Sequence, residues 1–227
     1  MHAKAFCAAF PSIFGTICEH AVGGGLWMIP IAVVGLFGMA IAIERILAIW
    51  FRANVNKEGF VAQLTTLIVS GNLDKAIKFV TGQPPTPLAN VVKAGLMKVN
   101  KSDAEVQSAL DEATLRELPR LEARTGFLAM FANVSMLAGL LGTIFGLMKC
   151  FASVAKPGVD PALKSQILAE GISEAMNCTA FGLFVAIGCL LAFSLVNGKT
   201  QHLIDDINET AVSVLNLIVA NRDKLKV

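Results

Sequence analysis

Charge is what this sequence has least of. Asp, Glu, Lys and Arg make up only 16% of it, against 55% hydrophobic residues. A soluble domain carries about a quarter charged residues, so this is a membrane composition. The net charge of +2, with no basic run interleaved with aromatics, gives no footing for a nucleic-acid partner. Histidine is scarce, and His2, His20 and His202 stand far apart. Cys7, Cys18, Cys150, Cys178 and Cys189 show no metal or redox spacing, and the last three fall in apolar stretches where cysteine serves as a small hydrophobe. No Gly-rich phosphate loop precedes a lysine, and no nucleophile–base pair stands out. Neither an enzyme nor a cofactor or metal is expected.

What the chain has in abundance is long apolar runs. Asn133 to Phe151 holds no charge until Lys149 and predicts the heart of a spanning helix. Ser135, Gly139, Gly142, Thr143, Gly146 and Cys150 fall on one broad face of it, with bulky residues over most of the rest. Lipid gives helices no hydrophobic reason to associate, so small residues at this spacing mark close backbone approach. That face is either a packing seam or a pore lining, and can be both. A second stripe, Ala175, Thr179, Gly182, Ala186 and Cys189, follows in a later run. Glu174 sits in the first turn of that run. A carboxylate inside a span is a functional candidate by default; the alternative is a side chain shallow enough to reach water or Lys164. The threonines have an alternative too, because membrane threonines often bond their own backbone.

Taken in order, residues 1–23 read as an interfacial helix with Phe6, Phe10 and Phe14 at every fourth position, or as a signal peptide that Pro11 interrupts. Residues 24–50 form a first span bracketed by Trp27 and Trp50, the only tryptophans. Glu44 and Arg45 near its end are expected to pair or snorkel. Residues 51–126 read as a helical platform: Ser102 to Glu105 has the form of a capping box, and Pro119 is expected to kink or restart the helix leading into the next span. A second span at 127–152, a loop at 153–170, a third span at 171–197 and a terminal helix at 198–227 complete the chain. In that last helix Ile204, Ile207, Ala211, Val214 and Ile218 are spaced to pack on the platform or on other copies. Lys and Arg crowd the platform and the tail, which puts both in the cytoplasm and the N-terminus outside. The expected fold is an all-α membrane protein with three transmembrane helices, a helical cytoplasmic domain between spans 1 and 2, and a cytoplasmic C-terminal helix.

The stretch ANVSMLAGLLGTIFGLMKCF resembles the second transmembrane helix of the ExbB/TolQ/MotA family of proton-channel stator proteins, and GISEAMNCTAFGLFVAIGCLLAF resembles its third. ERILAI, GNLDKAIKF and PLANVVKAGL extend the likeness more faintly. Met136 and Gly188 stand where the family usually has proline, so the kinks of those prolines are not expected. The resemblance implies an inner-membrane stator subunit of the ExbB/TolQ branch. Five copies would ring a dimer of single-span ExbD/TolR-like subunits whose membrane aspartate carries the proton, and a TonB/TolA-like energy transducer would take up the work. It also implies that Thr143, Thr179 and Glu174 belong to the proton pathway, with Ser135, Gly139, Gly142, Gly146, Ala175, Gly182 and Ala186 as packing or pore-facing small residues. A MotA-type flagellar stator and a passive oligomeric scaffold are the alternatives. The MotA branch has four spans, whereas three are counted here.

Overall fold

A computed structural model describes residues 26–52, 57–158 and 160–222; the segment read as an interfacial helix or signal peptide lies outside them. Among the described residues the regular structure is entirely helical: α1 Met28–Leu47, a π-helical turn Ala48–Arg52, α2 Lys57–Val69, α3 Leu73–Gly82, α4 Pro87–Leu96, α5 Asp103–Glu122, α6 Thr125–Val154 and α7 Pro161–Ala220. Three helical stretches, Met28–Trp50, Asp103–Val154 and Pro161–Ala220, are long and apolar enough to cross a membrane. The chain divides into two compact units, Met1–Ile43 with Gly126–Ser194, and Glu44–Thr125 with Leu195–Val227.

The first unit is built from α1, most of α6 and the first half of α7. Its outward surface is covered by exposed large apolar side chains such as Leu36, Phe37, Leu137, Met148, Met176 and Leu191. Water would not tolerate such a surface on a monomer, and lipid does. The inward faces carry the small residues. A Cβ placed on Gly139 would lie 3.2 Å from the Cys178 carbonyl oxygen and 3.3 Å from Gly182 Cα, so the two backbones touch. Further along, Gly146 meets Ala175 at 3.2 Å on the same measure. On α1, Met28 and Ile31 are buried with Cys178, and Phe181 and Val185 pack around them.

The second unit is a small helical domain with an aliphatic core. Leu64, Ile68, Val91, Val92, Val106 and Leu110 are buried in it. Ile204, Ile207, Val214 and Ile218 of α7 join the same core, so the tail packs on the platform of its own chain. Local chemistry sets the helix starts. Thr86 caps α4 by accepting from Ala89 N, with Pro87 at the first turn. Ser102 and Glu105 close the expected capping box. Lys57 ties α2 to α7 through Asp206 at 2.8 Å and through Glu209. Those two hydrogen bonds, Asp206 first, hold its ammonium above the usual lysine range.

Three expectations are corrected. Helix α5 is not restarted at Pro119 but continues unbroken to Glu122, and the break falls at Ala123–Arg124, where Arg124 takes φ 62. The turn frees the Leu121 carbonyl, which accepts from the buried Arg45 guanidinium. Arg45 therefore caps a helix end instead of pairing with Glu44, whose ion pair is with Arg124. Finally, the stretch expected as a loop over 153–170 is helical from Pro161 onward. Proline there needs no N–H bond, and the Asp160 carboxylate accepts from Ala162 N at 3.1 Å. Helix α7 then continues without a break past Gly198 to Ala220.

Candidate functional site

The α6–α7 seam brings two of the sequence-derived residues together. Thr143 and Thr179 are both half-buried, and their hydroxyls are in hydrogen-bond contact. Thr143 Oγ1 lies 3.1 Å from the Gly139 carbonyl oxygen and 3.4 Å from that of Ala175, while Thr179 Oγ1 lies 3.3 Å from the Gly139 carbonyl. Each hydroxyl owns one proton and can accept others. Either threonine can therefore donate to the other while its partner donates to a carbonyl, and the direction reverses without moving a heavy atom. The bond from Thr143 to Gly139, four residues back, is the ordinary self-satisfaction of a membrane threonine. The cross-helix contact goes beyond it.

The glycines make this contact possible. Gly139, Gly142 and Gly182 are buried, and a Cβ on Gly182 would fall 2.7 Å from the Ser135 carbonyl oxygen. Ala175 and Ala186 are buried in the same seam, Ala186 against Ala132 and Cys189. Ser135 Oγ is fully buried there and finds no hydrogen-bond partner. The small faces that could have joined separate copies are thus closed on each other within one chain.

Glu174 is not part of the threonine contact. Five residues separate it from Thr179, about 140° around a helix. It shares its stripe with Cys178, Phe181 and Val185, the residues that meet α1. Thr143 and Thr179 lie on the other flank, bordered by exposed Met136, Leu140, Met176 and Leu183. Trp27, marked by the sequence only as one end of the first span, stacks its ring on Phe145 at a centroid distance of 4.8 Å. The four-residue step from Phe145 to Lys149 was the available signal for which flank that lysine occupies. Among the described residues, no group of three His, Cys, Asp or Glu side chains could hold a metal ion.

Residues 83–209 match the sequence profile of the MotA/TolQ/ExbB proton channel family. The chain belongs to that family. The matched region contains the whole α6–α7 seam, both threonines and Glu174, so the family assignment and the geometry rest on the same helices. Among its relatives, the chain is 33% identical over 170 residues to a biopolymer transport protein, ExbB-like 3, of Synechocystis sp., covering 75% of this chain and 80% of the relative. It is 26% identical over 196 residues to an ExbB homologue of Methanothermobacter thermautotrophicus, covering 86% and 68%. The Tol-Pal system protein TolQ of Haemophilus influenzae is 38% identical over 98 residues, 43% of this chain and 42% of TolQ. The structure of C. jejuni MotAB shares the fold, with a TM-score of 0.59 and 18% identity over 86% of this chain and 76% of that one.

Proposed function

We propose that this MotA/TolQ/ExbB family member is the multi-span subunit of an inner-membrane stator that turns proton-motive force into mechanical work. Several copies, five by resemblance, would surround single-span ExbD/TolR-like partners and drive a TonB-, Tol-Pal- or gliding-type system. The observation that carries this reading is the paired Thr143 and Thr179 hydroxyls, placed among apolar side chains on the flank facing away from α1. A partner carboxylate arriving there would accept from a hydroxyl, and a protonated carboxyl would donate to one. The same two side chains serve both states and fix no charge. Each proton crossing would release about 2.3 kcal/mol per 100 mV from the electrical term. The exposed apolar residues beside the threonines offer a surface to a partner helix, while contacts between copies fall to the remaining apolar faces.

Proton flux into vesicles, measured for the chain alone and with its partner, tests the reading. The chain alone should conduct little, because its described central spans place no acid beside the threonines. Thr143→Val and Thr179→Val keep shape and lose the hydroxyl, so partner-dependent flux should collapse while the assembled mass is unchanged. Full flux in both valine variants would leave a passive packing seam. A MotA-type flagellar stator remains the second reading, supported by the shared fold with C. jejuni MotAB.

A further inference from the structure

Lys149 and Glu174 are opposite charges in apolar stretches, on neighbouring helices and on the same flank. Among the described residues, neither side chain makes a hydrogen bond or an ion pair within contact distance. Their placement follows from packing already fixed. Phe145, one turn before Lys149, stacks on Trp27, and Cys178, one turn after Glu174, is buried against Met28 and Ile31 beside Trp27. Both charges therefore sit one turn beyond Trp27 on the α1 side of the hairpin. The Gly146–Ala175 contact sets the register. Lys149 is three residues beyond Gly146 and Glu174 one residue before Ala175, so at 1.5 Å per residue their levels differ by about 3 Å. Lys164 is ten residues from Glu174 along α7, about 15 Å away. Lys156 lies past the end of α6.

We infer that Lys149 is the counter-charge of Glu174: its flexible four-carbon stem carries the ammonium across the hairpin to the carboxylate, holding Glu174 on the α1 flank, apart from the threonine pair. Charges at membrane depth pair with one another because lipid leaves them no other partner, and the lysine stem is long enough to adapt. Lys149 is a positioning residue, acting through Glu174. The inference deepens the stator reading, since it gives Glu174 a fixed station at one end of the hairpin.

The test is chemical coupling in the purified complex with a water-soluble carbodiimide, which joins an amine to a carboxyl only when they touch. Peptide mass spectrometry should recover an amide between Lys149 and Glu174, absent in Glu174→Gln. Lys149→Met should lose most proton-driven activity at unchanged assembled mass, and Lys149→Arg should keep it. Coupling of Glu174 to any other lysine, no coupling at all, or full activity in Lys149→Met would each overturn the inference. The coupling does not depend on proton flux, so an amide at 149–174 in a partner-bound complex that conducts no protons would sink the stator reading and leave the pair standing.

Discussion

At Gly182 a single methyl group would meet the α6 backbone at two points one turn apart, 2.7 Å from Ser135 O and 3.0 Å from Gly139 Cα. Backbone cannot rotate away as a side chain can, so Gly182→Ala must push α6 and α7 apart. Overpacking of this kind destabilises by about 1–3 kcal/mol. Six residues on, a Cβ at Gly188 meets nothing within 4 Å. Gly188→Ala should be neutral or stabilise by up to about 1 kcal/mol, the helix-propensity gain. Thermal unfolding of the detergent-solubilised protein compares the two; an equal response would mean the seam is looser than its contacts. The sequence showed both glycines and both threonines, because helical spacing reveals which residues share a face. It did not show what lies opposite that face. Whether Gly139 and Gly182 touched each other or another copy was a question of packing, and so was the side on which Glu174 falls.

Among the elements, the join between α5 and α6 was the least legible. Pro119 signals a break from sequence, but it costs one backbone bond, and Leu110 and Leu121 on either side of it are buried in the same core. The real turn uses a left-handed Arg124, a conformation normally announced by Gly or Asn. Arg45 supports the turn from 76 residues away by holding the Leu121 carbonyl, and no local pattern could reveal that. Its positive charge also suits the negative end of a helix. Arg45→Met should destabilise the second unit by roughly 1.5–3 kcal/mol, the scale of a hydrogen bond to a charged group. Glu44→Gln is a fair control: its ion pair with Arg124 is half-exposed, and such pairs contribute about 0–1 kcal/mol. Denaturant unfolding followed through the second unit would separate them, and equal losses would remove the capping role. The capping box at Ser102 and the helical tail were legible because their signals are local or strictly periodic.

For the whole molecule, the open question is which side of the membrane each segment faces, and the distribution of basic residues addresses it. Arg45 lies near the end of the first span, Arg52, Lys57, Lys75, Lys78, Lys93, Lys98, Lys101, Arg116, Arg120 and Arg124 lie between it and the second, and Lys199, Arg222, Lys224 and Lys226 follow the third. The segment between the second and third spans offers only Lys156 and Lys164 near its helix ends. Positive residues are retained in the cytoplasm, most strongly close to span ends. Arg45, Arg52, Arg120 and Arg124 are placed where the rule is strongest, so the length of the platform does not weaken the reading. Exposed positions on the two sides supply the probes. With the native cysteines removed, Lys98→Cys should stay shielded from a membrane-impermeant maleimide in intact spheroplasts and label after lysis. Lys156→Cys should label in both. The opposite pattern would invert the orientation, and with it the direction of the proton flux proposed above.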